Sequence, residues 1–332
     1  MSTTKKLVSA SLVLAHLACS RSSPRTDDKS KAPHVAAAAS GPSTSTAGAP
    51  PNKLPAPIRL LTLPVSAYST VLGLEGESAY LFTRNAAYRL APGNPSQKIP
   101  LDLGIGPVLA DSGIVFWSKG AIWNASKDGV SVWRMAAVPR QPEYFVASNA
   151  GIAWLDRAED GRFRIQSLAG QKSRVLVADP GDISALNMVH EWVFFVLRAK
   201  DNSWRIGRVH VARGEPEYTA SRNGPTPAML AGLESVVYYD MDRSELRQLT
   251  TDLKSDHVWL KDFVCSPLYE ATNIYCSRVE GLFEIRAETR TAKFLWHGPH
   301  ESVTQIKANA KHVFWTADIG PDQLAVDMLP VE

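Results

Sequence analysis

Seven short segments of this chain share one pattern: an apolar pair, an aromatic or bulky anchor, then in most cases Ser, Thr or Asp. They are Tyr80-Leu81-Phe82-Thr83, Val115-Phe116-Trp117-Ser118, Ala153-Trp154-Leu155-Asp156, Val193-Phe194-Phe195-Val196, Val237-Tyr238-Tyr239-Asp240, Ile274-Tyr275-Cys276-Ser277 and Val313-Phe314-Trp315-Thr316. The anchors stand at 82, 117, 155, 195, 239, 276 and 315, so the spacings are 35, 38, 40, 44, 37 and 39 residues. A period near 39 restricts a chain to repeat architectures. Helical repeats have similar periods. Here, however, the apolar runs are five to seven residues long, rich in Val, Tyr, Phe and Trp, and cut by Gly, Asn and Asp. Those are strands and turns. The pattern predicts an all-β, seven-bladed β-propeller of four-stranded blades, with six blades as the alternative if the first segment is irregular.

Turn residues precede each anchor at a constant distance, as in Ala110-Asp111-Ser112-Gly113, Ser148-Asn149-Ala150-Gly151 and Ala308-Asn309-Ala310-Lys311. The weakest by composition is Met188–Glu191. This register sets each anchor opposite the residue eleven positions earlier: Phe82 with Val71, Trp117 with Gly106, Leu155 with Tyr144, Phe195 with Ser184, Tyr239 with Ala228 and Trp315 with Thr304. In most blades a large side chain then faces a small one, as close packing requires. In the sixth blade Cys276 faces Cys265. Directly opposed cysteines in antiparallel strands have Cα atoms about 4.5–5.5 Å apart, within reach of a disulfide. A disulfide and a reduced core pair both fit; an oxidising compartment favours the bridge.

In the third blade the strands are expected at Glu143–Ser148, Gly151–Asp156, Arg162–Leu168 and Ser173–Ala178. The last blade, Ser302 to about Leu329, lacks an outer strand, and Ile58–Leu63 is a spare strand ahead of the first. Placing one in the other closes the ring and removes two exposed edges.

The N-terminus has a different composition. Residues 1–57 hold seven Lys or Arg against two Asp, a charge of +5; the rest holds 29 basic against 31 acidic residues, −2. The blades therefore offer no net field for nucleic acid, and no nucleic-acid partner is expected. No apolar run reaches the roughly 18 residues of a spanning helix. Lys5 and Lys6 precede twelve apolar-rich residues, Leu7 to Ala18, and then Cys19. This resembles a bacterial lipoprotein signal peptide, with Ala18 at −1, Leu17 at −2 and His16 at −3, where Leu is usual. The resemblance implies cleavage before Cys19, lipidation of its thiol and anchoring to a bilayer at about 0.8 kcal/mol per buried CH₂. Ser20, in place of Asp at the next position, implies the outer membrane. An ordinary secretory signal is the alternative. Residues 20–57 have no aromatic and seven Pro, so they cannot bury enough surface to order themselves. As a flexible tether they reach roughly 34 Å. The expected organisation is a signal peptide over 1–18, a lipidated cysteine and tether over 19–57 and a propeller over 58–332.

Candidates for chemistry are few. The residues that end the second strands, Thr83, Ser118, Asp156, Asp240, Ser277 and Thr316, read as turn caps, or else as a polar ring on one face. His297 and His300 flank Gly298-Pro299, which excludes a shared helical face, so no metal site is assigned. His190 and His312 fall at the hairpin side and read as solvated turn residues. No nucleophile elbow or phosphate loop occurs, so no catalytic residues and no cofactor are assigned. Arg157, Glu159, Asp160, Arg162, Arg198, Lys200, Asp201, Asp240, Asp242 and Arg243 gather on loops between second and third strands as a mixed-charge rim. The tryptophans assigned to outer strands (Trp133, Trp204, Trp259 and Trp296) read as inter-blade packing.

Two repeats carry a further likeness. Phe314-Trp315-Thr316-Ala317-Asp318 and Tyr238-Tyr239-Asp240 resemble the Tyr-Trp-Thr-Asp repeats of low-density-lipoprotein-receptor-type propellers, a six-bladed family. Ser126-Lys127-Asp128-Gly129 with Trp133 resembles a single Asp-box of sialidase-type propellers, with the glycine one place early. An Asp-Gly turn between third and fourth strands accounts for it better. The chain is therefore expected to be an outer-membrane-anchored binding or assembly module with an envelope protein as partner. In architecture it resembles lipoprotein propellers that help assemble outer-membrane proteins. The alternatives are a propeller enzyme (lyase, lactonase or glycosidase) and a small-molecule sensor, both using the central channel.

Overall fold

The computed structural model describes residues 56–65, 70–178, 181–232, 235–263, 265, 268–270, 272–278, 281–286, 288–296 and 302–331. Cys19, His297 and His300 lie outside the described residues, as do the signal segment and nearly all of the tether. Seven four-stranded antiparallel sheets follow one another around a ring.

Strand β1 (Ile58–Leu63) belongs to the last blade. The first blade is β2 (Val71–Glu75), β3 (Ser78–Thr83), β4 (Ala86–Leu90) and β5 (Gln97–Pro100). The second is β6 (Ile105–Ala110), β7 (Gly113–Ser118), β8 (Ala121–Ala125) and β9 (Val132–Ala137). The third, β10 (Tyr144–Ser148), β11 (Gly151–Arg157), β12 (Phe163–Ala169) and β13 (Lys172–Ala178), falls within one residue of its expected limits. The fourth comprises β14 (Asp182–Val189), β15 (Trp192–Arg198), β16 (Trp204–His210) and β17 (Arg213–Tyr218). The fifth comprises β18 (Ala228–Ala231), β19 (Ser235–Asp240), β20 (Glu245–Thr250) and β21 (Asp256–Lys261). The sixth has β22 (Leu268–Glu270), β23 (Ile274–Arg278), β24 (Gly281–Arg286) and β25 (Thr291–Trp296). The seventh has β26 (Ser302–Ala308), β27 (His312–Gly320) and β28 (Gln323–Pro330), with β1 added outside β28. The ring thus closes with a strand from one end of the domain and three from the other, as the spare strand predicted.

The second strands are buried along almost their whole length because each blade is covered on both faces. Among the described residues the buried apolar side chains form seven clusters, and each cluster fills the seam between two neighbouring blades. A propeller has no single centre of burial; its core is divided among its seams.

Three expected pairs hold: Phe82 with Val71, Leu155 with Tyr144 and Tyr239 with Ala228. Four do not. Phe195 pairs with Leu186, Trp315 with Ile306, Trp117 with Ile105 and Cys276 with Leu268. In three of these blades the ladder slips at the residue assigned as partner. The breaks fall between Ile183 and Ala185, between Val303 and Gln305, and between Ile105 and Val108. Ser184, Thr304 and the Gly106-Pro107 pair are thus left out of register, and a bulge favours small residues or a proline without an N–H. In the fourth and seventh blades the slip accompanies a reversal of faces, and the sixth blade shows the same reversal without a slip between its first two strands. Phe82, Trp117, Leu155 and Tyr239 pack toward the following blade, but Phe195, Cys276 and Trp315 pack toward the preceding one. Their neighbours Phe194, Tyr275 and Phe314 take the other side.

Cys265 and Cys276 form the expected disulfide, with Cα atoms 5.7 Å apart. They are not a cross-strand pair. Cys265 stands three residues ahead of β22. Both sulfurs lie in the seam between the fifth and sixth blades, with Tyr239 and Trp259.

Candidate functional site

The strand-ending polar residues do not share one role. The Thr83 hydroxyl donates to the Ala86 carbonyl at 3.0 Å, a turn cap as expected. Asp156 instead reaches across to β12, where Arg164 grips it through Nε and Nη2, both at 3.1 Å, and Gln166 adds a further donor. Thr316 shares a 2.8 Å hydroxyl contact with Thr304, the bulged residue.

Asp240 belongs to the densest charged cluster among the described residues. Arg222, on the segment after β17, pairs its backbone with Trp204 and sends its guanidinium to both Asp240 (3.3 Å) and Asp256. Asp256 also accepts from Tyr238 Oη at 2.8 Å and Arg247 Nε at 3.0 Å. Arg247 continues to Glu245, whose other oxygen lies 3.7 Å from Lys261 Nζ. Burial opposes ionisation of Asp256, but the hydrogen bonds from Arg247 and Tyr238 outweigh it and hold the carboxyl below its ordinary range. Burial pushes the Tyr238 phenol up, and the Asp256 carboxylate reinforces that. A carboxylate held by two guanidiniums and a phenol is a fixed anion, not a proton shuttle. The cluster ties the exit of the fourth blade to the fifth. The sequence offered no sign of it, because Arg222 lies in a connection without a repeat.

Glu284 is handled similarly. It accepts from Asn273 Nδ2 at 2.8 Å, Arg286 Nε at 3.3 Å and Tyr275 Oη at 3.4 Å. Burial, with the charge of Glu284, pushes the Tyr275 phenol up to about 12.

The expected rim exists, and its charges organise one another. Arg157 meets Glu143 and Arg140 meets Glu159, each at 3.3 Å; Arg162 meets Asp160 at 2.6 Å. Asp160 is held below the usual carboxylate range by the Arg162 side chain and backbone N–H, and Asp201 by Ser203. These short-range bonds hold the loop tips of the third and fourth blades in fixed turns. Asp128 works in the same way: it accepts the Val130 N–H at 3.0 Å inside the turn joining β8 to β9, and Ser126 also donates to it. The Asp-Gly turn reading of that segment therefore holds. His190 is an exposed turn residue with φ of 51°; His312 opens β27 and is partly buried.

The tryptophans divide. Trp204 lies on a third strand, not an outer one, and is buried. Trp259 is buried and donates to Gln248 at 2.7 Å; Trp296 packs on Trp315. Trp133 departs from expectation. It is 42% exposed on β9, beside exposed Val132 and Met135. A strand at the end of a sheet is normally protected by charge or proline. Each outer strand carries at least one charge, β1, β5, β9 and β25 carrying Arg59, Lys98, Arg134 and Lys293 alone, but β9 is the outer strand that exposes three large apolar side chains together.

Among the described residues, no three His, Cys, Asp or Glu converge as a metal set, and no helix is long and apolar enough to cross a membrane.

No family model and no curated protein matches this sequence. Solved structures do. The chain is similar to a puromycin-hydrolysing peptidase of Mycobacterium tuberculosis, with a TM-score of 0.58 and 14% identity, over 79% of this chain and 51% of that one. It is similar to the AfRom2 CNH domain, with a TM-score of 0.54 and 7% identity, over 83% of this chain and all of that one. It is also similar to a puromycin hydrolase, with a TM-score of 0.53 and 10% identity, over 74% and 49%. The chain spans about half the length of each of the two hydrolases. Identities this low carry fold and nothing further. The fold is a β-propeller. Its seven blades differ from the six of the Tyr-Trp-Thr-Asp type.

Proposed function

We propose that this propeller is a protein-binding module of the bacterial envelope, anchored to the outer membrane through acylated Cys19. The observation that carries the binding half is β9, an outer edge strand that leaves three large apolar side chains, Val132, Trp133 and Met135, exposed together, where β1 and β13 each expose one, Ile58 and Val175. Exposed aromatic and Met side chains beside an Arg have the composition of an interface centre. The carboxylates buried or partly buried in the blades support binding over catalysis, because Asp156, Asp240, Asp256, Glu284 and Asp327 are each held by a guanidinium. The anchoring half rests on the lipoprotein-like segment and the tether.

Envelopes solubilised in detergent, with tagged protein recovered and read by mass spectrometry, test both halves. A partner held by the wild type and by a Lys98→Glu control, but lost with Trp133→Glu and Met135→Glu, supports the binding surface. Wild type in the outer-membrane fraction with Cys19→Ser in the soluble fraction supports the anchor. Partners indifferent to β9 overturn the first half; identical fractionation of wild type and Cys19→Ser overturns the second.

A further inference from the structure

A cleft of about 500 Å³ opens between the first and second blades. One wall is a cross-strand row on the first blade. Tyr80 on β3 pairs with Arg89 on β4, and Arg89 pairs with Gln97 on β5. Direct partners in an antiparallel ladder share a face, so phenol, guanidinium and amide stand side by side along the cleft. The opposite wall is two turns of the second blade, Ser112 ahead of β7 and Ser126–Asp128 after β8. The second turn is pressed onto the first blade: a Cβ on Gly129 would come within 2.5 Å of Ile99 Cγ2, and Lys127 crosses the seam to Glu75.

The acceptors of this cleft are engaged, and its donors are free. Glu75 is neutralised by Lys127. Asp111 accepts from Asn149 through Oδ2, and Asp128 Oδ1 is folded into its own turn by Ser126 and the Val130 N–H. Among the described residues, by contrast, no carboxylate lies within ion-pair distance of Arg89, although that side chain lines the cleft. Asn124, 1% exposed, donates Nδ2 to Ser112 Oγ at 3.2 Å, which leaves the Ser112 O–H to donate elsewhere. None of the exposed β9 side chains lines the cleft, so it stands apart from the surface proposed above.

We propose that this cleft binds a small carboxylate-bearing polyol, a sugar acid, with its carboxylate on Arg89 and its hydroxyls toward the turns of the second blade. A guanidinium is a planar fork that takes a carboxylate through two parallel N–H bonds, and the Gln97 amide stands beside it. The charge of the lining selects a monoanion. Arg89 and Lys127 are set against three carboxylates, Glu75, Asp111 and Asp128, so a dianionic phosphate meets more repulsion than a carboxylate does. Burial pushes the Tyr80 phenol up, so it stays neutral and adds no repulsion of its own. The volume exceeds what a carboxylate fills. A neutral polyhydroxyl body suits the rest, because Asp111 Oδ1 and Asp128 Oδ2 can accept hydroxyl donors while Ser112 donates to a ligand oxygen.

Calorimetric titration of the whole protein with D-glucuronate, D-glucose and D-glucose 6-phosphate tests this. Glucose differs from glucuronate in carrying CH₂OH where the carboxylate stands, and the phosphate ester puts a dianion there. Glucuronate should bind about tenfold or more tighter than glucose, the worth of one charge-assisted pair, and tighter than glucose 6-phosphate. Arg89→Met should weaken glucuronate by about tenfold and leave glucose unchanged, and Arg89→Lys should recover part of the loss. Ser112→Ala should weaken glucuronate by about two- to fivefold. Arg89 and Ser112 are exposed, so the thermal midpoint of each variant should match the wild type. Absence of glucuronate binding, equal binding of glucose, tighter binding of glucose 6-phosphate, or an affinity unmoved in Arg89→Met would overturn the proposal.

Discussion

Arg59 Nε donates to Asp327 Oδ1 at 2.6 Å and Arg59 Nη2 to Oδ2 at 3.0 Å, a forked pair between residues 268 apart in sequence. It pins β1 to β28 at the point where the ring closes. Asp327 is 1% exposed, and burial raises its pKa in spite of the hydrogen bond and charge of Arg59. A raised carboxyl pKa means that the folded state binds the proton more tightly, so this stability is present at acid pH and is lost as pH rises through the raised value. Replacement of Arg59 by Met strands the carboxylate. The expected cost at pH 7.5 is about 2–4 kcal/mol, discounted because Arg59 is half solvated. At acid pH, below the raised value where Asp327 takes up its proton, most of that cost should disappear. Urea midpoints at the two pH values, with Asp327→Asn as the paired control, measure the difference.

Asp256 gives the opposite dependence. Its carboxyl is held below the ordinary value, so its contribution is full above the unfolded pKa and is lost as pH falls through the folded one. Asp256→Asn should cost about 1–3 kcal/mol at pH 7, by releasing Arg247 and Arg222 inside the seam. The same variant should show a shallower fall in stability between about pH 4 and pH 2 than the wild type. Thermal unfolding across that range reads both effects.

Gly207 on β16 lies opposite Phe195 on β15. A Cβ there would meet three atoms of the Phe195 ring, two of them at 2.6 and 2.9 Å. Gly207→Ala should cost about 1–3 kcal/mol by overpacking the seam between the third and fourth blades. Phe195→Leu on the same chain should recover part of it. A double-mutant cycle by denaturant unfolding decides, and additive costs would show that the ring is not the obstacle.

The Cys265–Cys276 bridge closes a loop of eleven residues. Its loss in Cys265→Ala/Cys276→Ala should lower stability by about 3 kcal/mol, on the chain-entropy account of a loop this short. Unfolding of the oxidised wild type and the double variant under the same conditions gives the value.

Trp133→Glu and Met135→Glu on β9 should leave thermal stability within about 0.5 kcal/mol, because neither side chain fills a seam. A large loss of stability would place Trp133 in packing after all and remove the ground for a binding surface there.

Period and composition were enough for the architecture. Anchors about 39 residues apart called for blades, and the Ile58–Leu63 strand called for closure in the last one. The Cys265–Cys276 partnership was also legible, although the register that set the two directly opposite does not hold, since Cys276 pairs with Leu268. Register was less so. Phe194-Phe195, Tyr275-Cys276 and Phe314-Trp315 each offer two neighbours equally suited to burial, and a two-sided blade buries both. Alternation therefore carries no sign of which faces which neighbour, and a bulge at Ser184 or Thr304 reverses the answer.

The sequence by itself determined the repeat architecture, its strand order and the mode of closure, because these follow from short-range alternation repeated along the chain; the structure settled seven blades over six. Only the tertiary structure decided how the charges meet. Arg59 with Asp327, Arg222 with Asp256 and Lys127 with Glu75 join residues from different blades or from opposite ends of the chain. Nothing local selects such partners; the seams do, by bringing distant side chains into a low dielectric where an unpaired charge must find a partner or give up its proton.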